Sequence, residues 1–424
     1  MDQLKDRRGR TRVVITGMGA VTPLGDSVET SWQAALDGAS GVARITGFDA
    51  SSLPCQIAGE VKNFNVKAFI SGREARRMSR SSHLAIAALR KAQIDAGLPE
   101  TSTEPEKTGV VMGSAIGGFD ISTAALQTYW KHGWTRVNPF AVSATLPNMV
   151  SHHVSWAAQT LGPIGTQVSA CSAGVQAIGE AAELIRRGSA EMMFAGGSES
   201  AVTEGIVAGF CAMRALPVHY NDNPSAASRP FDANREGFIL SEGSAVLVLE
   251  SLEHALGRGA NIIAEYLGYA SSSDAYHMIK PDPTSQGAIR AMRWAIDQAD
   301  VNSAEVDYIN AHGTSTPLND SGETYAVKQV FGEQAYYTPI SSTKSIMGHA
   351  MGAAGAIESV FTIKALQTGV LPPTWNYETP DPACDLDYVP NKARQAAPAI
   401  GMCNAFGLGG QNASILFRRW DTEQ

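Results

Sequence analysis

Short apolar runs recur along the chain and alternate with longer segments of helical periodicity. The runs predict buried strands at 12–17, 109–113, 192–197, 245–249, 262–266 and 308–311. Between them, residues 81–96, 174–188 and 355–368 repeat small and apolar side chains at helical spacing. Strands that alternate with helices of this length favour an α/β fold with a largely parallel sheet.

A weak internal similarity suggests two related halves. The strand at 110–114 is followed downstream by the helix at 174–188, and the strand at 308–312 is followed by a helix at 352–366. Both helices begin with small residues. The predicted junction lies near 258–261. Two similar strand–helix units also arise by chance, so the pattern alone leaves duplication open.

Composition excludes several functional classes. A chain of 424 residues with 44% hydrophobic and 17% charged residues predicts two or three well-buried domains. The net charge of -8 argues against a nucleic-acid-binding protein. No run of 18 apolar residues is present and the first twelve residues are polar, so we expect no membrane span and no signal peptide.

Five irregularly spaced cysteines argue against a disulfide framework and favour a cytoplasmic location. They are Cys55, Cys171, Cys211, Cys384 and Cys403. Cys171 differs from the others because it lies just before the amphipathic segment 174–187, among small neighbours. A thiol at a helix N-terminus feels the positive end of the macrodipole, so we expect its pKa to be lowered. A buried structural cysteine is the common alternative.

Two histidines lie in glycine-flanked loops. His312 follows a predicted strand, at the end where α/β proteins place chemistry, and His349 follows Gly348. A cysteine thiolate can accept an acyl group from a thioester, and two imidazoles that donate to one oxygen can stabilise an enolate. We therefore predict that Cys171, His312 and His349 meet and support a decarboxylating Claisen condensation.

The order of these motifs resembles that of the elongating β-ketoacyl-acyl-carrier-protein synthases, condensing enzymes of the thiolase superfamily. The similar segments cover nearly the whole chain and are 13–19, 168–174, 228–232, 235–238, 274–277, 310–317, 344–349 and 404–412. The resemblance implies two stacked halves in α/β/α/β/α layers. The half at 1–260 would carry the nucleophile, and the half at 261–424 would carry both histidines.

The resemblance also implies residue roles. Cys171 would be the acylated nucleophile, with His312 and His349 as the decarboxylation and condensation pair. Lys344 and Glu358 look like the family's buried ion pair beside the site.

Further roles concern the substrate arm and a cation. The backbone N–H groups of Cys171 and Leu408 would form the oxyanion hole, and Thr314 and Thr316 would bind phosphopantetheine. Some members bind a structural monovalent cation at positions that match Asn310, Glu358 and Asn404. No cofactor is otherwise expected.

The acyl pocket departs from the family pattern at one position. Phe406, Ile116 and Asp274 match residues of the gate and pocket, whereas Leu408 replaces the second phenylalanine of the C-terminal loop. Leucine is smaller and lacks the ring face. This predicts a gate that admits acyl chains other synthases reject. The aromatic segment 129–134 is open to three interpretations: pocket, dimer surface or ordinary packing.

The expected partner is an acidic acyl carrier protein, and the family is usually dimeric, with itself or with a homologous subunit. Residues 62–80, the basic segment, carry six cations against one acid. The predicted docking residues are Lys67, Arg73, Arg76 and Arg77 in this segment, and the more distant Arg214. A solvated charged turn is the alternative explanation.

Three functions fit the motifs to different degrees. The first is a condensing enzyme of fatty-acid elongation, or a ketosynthase of a specialised polyketide or polyene pathway. A degradative thiolase needs a second catalytic cysteine in a Cys-x-Gly pattern, which Cys403 does not match. A non-catalytic chain-length partner would generally lack the nucleophile, which Cys171 argues against.

Overall fold

The computed structural model describes residues 2–421, which form α-helices on both faces of a large β-sheet. The strands are β1 (Val13–Val21), β2 (Val42–Arg44), β3 (Ile57–Gly59), β4 (Thr108–Gly113), β5 (Ile164–Gln167), β6 (Met192–Ser200), β7 (Glu242–Ser251), β8 (Ala264–Ser273), β9 (Tyr308–Asn310), β10 (Ile340–Ser341), β11 (Val370–Leu371), β12 (Arg394–Gln395), β13 (Ile400–Gly407) and β14 (Gln411–Arg419). The helices are α1 (Val28–Asp37), α2 (Gly72–Ala75), α3 (Arg80–Asp95), α4 (Phe119–His132), α5 (Ala141–Thr145), α6 (Met149–Ala158), α7 (Ala173–Arg186), α8 (Glu204–Ala212), α9 (Leu252–Gly257), α10 (Gln286–Ala299), α11 (Pro317–Phe331), α12 (Lys344–Met347) and α13 (Ala354–Thr368).

The main sheet repeats one strand order in its two halves. Its order is β10-β9-β13-β14-β8-β1-β7-β6-β4-β5. When the strands of each half are numbered along the chain, both halves read 3-2-4-5-1. The halves join where β1 pairs antiparallel with β8. This repeat gives the weak internal similarity a structural basis, and the predicted junction between 260 and 261 falls in the loop between α9 and β8.

The sheet is mixed, so the expectation of a largely parallel sheet is wrong. The pairs of β4 with β5 and β6, and of β9 with β10 and β13, are parallel. The last two strands of each half are antiparallel, as are their pairings onward to β1 and β8. In the C-terminal half the cause is local, because Gly409 and Gly410 adopt positive φ and turn the chain directly from β13 into β14.

Helices α7 and α13 lie between the two halves of the sheet. They contact each other, and α7 contacts β4 and β6 on one side and β8 and β14 on the other. Helix α3 covers β1, β6 and β7 from outside, and α10 covers β8 and β14. The result is the α/β/α/β/α layering expected from the resemblance.

The two central helices approach most closely at their N-terminal ends. A Cβ atom on Gly174 would lie 2.7 Å from the backbone nitrogen of Ala356, so α7 and α13 can cross here only because Gly174 has no side chain. Cys171 and His349 lie in the turns just before these two helix starts. Close packing of the helices therefore brings the two turns together.

Within residues 2–421, no helix combines the length and the apolar character needed to cross a bilayer.

Candidate active site

A cavity of about 440 Å³ has Cys171, His312 and His349 among its lining residues. These side chains are at most 5% exposed. The cysteine sulfur and one nitrogen of each imidazole all lie within 4.8 Å of one another. The structure thus brings together the three side chains that the motifs singled out, although they are separated by up to 178 positions in the chain.

Cys171 lies in a single 3₁₀ turn, Ala170–Ser172, that leads into α7. Ala170 has a φ of 51°, a conformation that costs a non-glycine residue energy and is common at functional sites. The Ser172 hydroxyl donates to the Ser169 carbonyl at 2.8 Å and closes the turn. The sulfur therefore points into the cavity from a constrained bend.

The lowered pKa predicted for Cys171 is wrong. Burial raises the pKa of the thiol to about 11, because water is absent to solvate a thiolate. The backbone N–H groups of Leu408 and of Cys171 itself oppose this effect, as does the Lys344 charge. Helix position alone could not reveal this, because the sequence does not report how deeply the thiol is buried.

The two histidines are held through their backbones. The N–H groups of His312 and Gly313, after β9, donate to the Glu323 carboxylate at 2.9 and 2.8 Å. His349 follows α12, and its N–H donates to the Ile239 carbonyl at 2.7 Å. The ring positions are thereby set while the ring nitrogens stay available for a ligand.

The imidazole rings are neutral and have free hydrogen-bonding capacity. Their centroids are 5.4 Å apart and their planes are inclined at 83°. Nδ1 of His312 and both ring nitrogens of His349 are buried without a partner in the described chain. Burial lowers the pKa of both residues well below the usual value, and the Lys344 charge lowers it further. A neutral imidazole has one N–H donor and one acceptor, as the predicted chemistry requires.

Lys344 and Glu358 form an ion pair that is almost completely buried. Burial raises the pKa of the Glu358 carboxyl to about 7, and the Lys344 ammonium opposes that rise. The pair lies close enough to the histidines for the Lys344 charge to act on both rings.

Thr314 and Thr316 line the same cavity, and their hydroxyls are 2.9 Å apart. Between them, Ser315 has a φ of 69° and its hydroxyl accepts the backbone N–H of Arg229. This turn directs the intervening side chain into the protein and leaves both threonines on the cavity wall. Their predicted contact with a phosphopantetheine arm remains a prediction.

The predicted gate residues line the cavity or pack beside Cys171. Phe406, Leu408 and Asp274 line the cavity, and the Phe406 ring lies 5.7 Å from that of His312. Ile116 and Leu408 are half-buried and pack in the apolar cluster that contains Cys171. The Asp274 carboxylate accepts the Asn412 amide at 2.7 Å and so ties its loop to the turn that holds Leu408.

The predicted docking residues differ in their availability. Lys67, Arg73 and Arg76 are exposed. Arg77 is less available, because it is partly buried and forms an ion pair with Glu74 at 3.3 Å. Arg214 is exposed and lines the cavity, which places a positive charge at its edge.

One cation of the basic segment is committed elsewhere. Arg80 donates twice to Glu242, at 2.7 and 2.6 Å, so its charge serves an internal ion pair. The count of six cations therefore overstated the charge that this segment offers to a partner.

The three residues matched to a monovalent cation do not form a free set of ligands. The Glu358 carboxylate already forms an ion pair with the Lys344 ammonium. The Asn404 side-chain oxygen accepts a hydrogen bond from the Ser414 hydroxyl at 2.8 Å. The Asn310 side-chain oxygen and Oε2 of Glu358 are buried without a hydrogen-bond partner. Binding of a monovalent cation by these residues stays a prediction.

Glu323 was missed by the sequence reasoning although it holds the His312 loop. It lies in α11, is buried, and also accepts the Asn404 amide at 3.3 Å. Burial raises the pKa of its carboxyl to about 7. The only available signal was an acidic residue on a helix face that otherwise packs inward.

Comparison with known proteins agrees with this geometry. The family model described as "Beta-ketoacyl synthase, N-terminal domain" matches residues 10–255, and its C-terminal counterpart matches residues 263–378. The 3-oxoacyl-[acyl-carrier-protein] synthase 2 of Synechocystis sp. is 43% identical over 411 residues, which cover 97% of this chain and 99% of the relative.

Solved structures share the fold over the same extent. A type II polyketide synthase acyl-carrier protein in complex with its ketosynthase, bound to the hexaketide, gives a ketosynthase chain with a TM-score of 0.89 and 34% identity. The ishigamide ketosynthase/chain length factor gives a TM-score of 0.90 and 34% identity. Each match covers 97% of this chain and 100% of the other. The family models, the full-length relative and the shared fold together establish that the chain belongs to the beta-ketoacyl synthase family.

Proposed function

We propose that the protein is a β-ketoacyl-[acyl-carrier-protein] synthase that elongates an acyl chain held on Cys171 with a malonyl unit. The observation that carries this proposal is the meeting of one thiol and two neutral imidazoles at a buried, largely apolar cavity. The 43% identical relative is named for the same reaction class.

The first step is acyl transfer to Cys171. Because the resting thiol has a raised pKa, it must lose its proton as the thioester arrives, and an unpartnered ring nitrogen of His349 can take it. The sulfur then attacks the acyl carbonyl and the carrier thiolate leaves, taking up the proton. The N–H groups of Cys171 and Leu408, which face the sulfur, would donate to the carbonyl oxygen as it becomes negative.

The second step joins the two carbon chains. The malonyl thioester loses CO₂, and its thioester oxygen takes negative charge as the enolate forms. Neutral His312 and His349 can each donate an N–H to that oxygen. The enolate carbon attacks the acyl carbonyl on Cys171 and the C–S bond breaks, which leaves the Cys171 thiolate beside a 3-oxoacyl thioester. A proton from water then restores the thiol.

Charge and position support an acidic carrier protein as the partner. Lys67, Arg73 and Arg76 are exposed, and Arg214 lies at the cavity edge, on a chain whose overall charge is negative. A local positive surface steers an acidic partner more than it adds affinity. One solved neighbour is itself a complex of a ketosynthase with its acyl-carrier protein.

We further propose that the protein dimerises through the surface formed by α4, α5, α6 and the edge strand β5. These elements contact one another in that order. The aromatic segment 129–134 exposes Trp130 and Trp134 by 72% and 78%, and Ile164 on β5 is 56% exposed. Ordinary packing therefore does not explain these side chains, whereas an interface would cover them and the unpaired strand edge.

A specialised polyketide pathway is the second candidate. Leu408 in the gate supports it, as do two structural neighbours from polyketide and ketosynthase/chain length factor systems. The structure gives the thiolase alternative no support, since Cys403 is completely buried and does not line the cavity.

The test is reconstitution with purified acyl- and malonyl-carrier protein. We expect CO₂ release and a carrier-bound 3-oxoacyl product, and in Cys171→Ala both the acyl adduct and the 3-oxoacyl product should be absent. Primers of different length and oxidation state separate fatty-acid from polyketide elongation. A wild-type protein that forms no acyl adduct and no product with any primer would contradict the proposal.

Light scattering of wild type, Trp130→Glu and Ile164→Glu tests the proposed dimer. A monomeric wild-type protein would contradict it.

A further inference from the structure

Glu199, in β6, is a buried carboxylate to which the mechanism above assigns no role. It is 0% exposed. Its hydrogen-bond donors in the described chain are neutral: the Ser114 hydroxyl at 3.3 Å and the backbone N–H groups of Ala115, Ile116 and Gly352 at 2.5, 3.4 and 3.2 Å. Burial raises the pKa of the carboxyl to about 7, and these donors oppose the rise. Such a group costs free energy to bury, which suggests a specific use.

The donors belong to two segments that are far apart in the chain, 114–116 and Gly352. Ala115 and Ile116 follow β4 and pack in the apolar cluster that contains Cys171. Gly352 lies in the turn three residues after His349, on the way into α13. Glu199 is therefore a direct link between a wall beside the nucleophile and the loop of one imidazole.

The fit at this link leaves no spare room. A Cβ atom on Gly352 would lie 2.3 Å from the Ala115 nitrogen and 2.7 Å from Oε2 of Glu199. The neighbouring Met351 has a φ of 48°, so the turn is strained as well as tight. A small movement of the carboxylate would displace both segments, because interiors packed this closely transmit displacement.

We propose that Glu199 is a positioning residue that fixes the Ala115–Ile116 wall of the acyl pocket relative to the His349 turn, and thereby sets both acyl-chain selectivity and the rate of condensation. This inference rests on the function proposed above. A carboxylate accepts hydrogen bonds on both oxygens, whereas a glutamine offers one acceptor and one donor. In Glu199→Gln the amide NH₂ would face backbone N–H groups, and the wall or the turn must shift.

The experiment compares Glu199→Gln with Glu60→Gln. Glu60 is a matched control because its carboxylate also accepts two backbone N–H groups and a hydroxyl, from Thr46 and Gly47, away from the cavity. Two quantities are measured: the ratio of Cys171 acylation by long and short acyl-carrier primers, by intact-protein mass spectrometry, and kcat and KM for malonyl-carrier protein.

We expect Glu199→Gln to change the long-to-short ratio at least fivefold and to lower kcat about tenfold, with KM for malonyl-carrier protein changed less than twofold. Glu60→Gln should leave all three quantities within twofold of wild type. Ser114→Ala removes one donor and keeps the carboxylate, so it should shift the ratio in the same direction by a smaller factor. Ser114→Ala also tests the proposal if Glu199→Gln does not fold.

The outcomes separate the two proposals. A folded Glu199→Gln with wild-type ratio and kcat overturns the positioning role, as does an unfolded Glu199→Gln together with an unaltered Ser114→Ala. A proportional loss of both acylations with an unchanged ratio would also overturn it, since that indicates general damage. If wild type itself forms no 3-oxoacyl product, it is the proposed function that fails.

Discussion

His312 and His349 stand edge to face with their ring centroids 5.4 Å apart, and both rings keep unpartnered nitrogens inside a buried cavity. Buried polar atoms are normally paired, so these are atoms held ready for a ligand. They approach that ligand from separate backbone supports, the Glu323 carboxylate and the Ile239 carbonyl. Either ring can therefore be removed without displacing the other, which makes their roles separable by mutation.

Removal of one imidazole should impair decarboxylation more than acyl transfer. We expect His312→Ala to lower the rate of malonyl decarboxylation by a factor of roughly 10²–10³, which is the usual effect of removing one hydrogen-bond donor to a developing oxyanion. Acylation of Cys171 should fall much less, because His349 remains. Release of ¹⁴CO₂ and the acyl adduct mass measure the two steps. Exposed His152, outside the cavity, provides the control His152→Ala. Equal losses in both steps would contradict the assignment.

Restoring an aromatic gate should narrow the range of acyl chains. Leu408 packs in the cluster around Cys171, and a phenylalanine there would fill more of the space beside the sulfur. We expect Leu408→Phe to reduce the rate of elongation of long or branched primers at least fivefold relative to that of short primers. Leu256→Phe is the matched control, since Leu256 is 55% exposed on α9. Identical chain-length profiles for wild type and Leu408→Phe would reject the hypothesis.

The raised pKa of Cys171 makes its reactivity pH-dependent. Only the thiolate reacts rapidly with iodoacetamide, and with a pKa of about 11 the thiolate fraction rises about tenfold per pH unit throughout the neutral range. Alkylation of the resting enzyme should therefore climb from pH 7 to pH 9 without levelling off. Peptide mass spectrometry distinguishes Cys171 from half-buried Cys211. A plateau below pH 8 would indicate that the thiolate already predominates there.

Charge reversal on the basic segment should weaken carrier-protein binding without changing the chemistry. Arg73 and Arg76 are exposed and lie outside the cavity. We expect the double variant Arg73→Glu, Arg76→Glu to raise KM for acyl-carrier protein about tenfold at low salt, with kcat nearly unchanged, and the difference should shrink as salt increases. Arg187→Glu, at an exposed site after α7, is the control. An unchanged KM would place docking elsewhere.

Chelation should leave the reaction unaffected. Cys171, His312 and His349 are also a donor set that zinc accepts, so a metal-dependent mechanism makes a distinct prediction. In the mechanism proposed here the imidazoles act as hydrogen-bond donors, and dialysis against a strong chelator should not change the condensation rate. A loss of activity that added zinc restores would contradict this mechanism. Inhibition by added zinc would agree with it, because the metal would occupy the same three atoms.

The alternation of strands and helices predicted an α/β fold, the motifs predicted that the site residues meet, and the family resemblance supplied the layered architecture. The motifs around Cys171 and His312 each mark a turn between a strand and a helix, whereas the His349 motif marks the loop between α12 and α13. The common fold brings these three segments together. The family and the layered fold are confirmed by the comparisons.

Properties that arise from burial could not be read in advance. The direction of the shift in the Cys171 pKa depends on how deeply the thiol is buried. Whether the Arg80 charge is available to a partner depends on its ion pair with Glu242. The role of Glu199 depends on backbone groups from two distant segments. The antiparallel strands at the end of each half were also missed, although Gly409 and Gly410 offered a turn signal in the C-terminal one.

The repeated strand order has a consequence for how activity appears during folding. The thiol precedes the central helix of one repeat and His349 precedes that of the other, so the reactive atoms belong to the seam and to neither repeat alone. A chain in which one repeat is native and its twin is still unstructured would have much of its secondary structure but no competent catalyst. Recovery of turnover after dilution from denaturant should therefore lag behind recovery of circular dichroism.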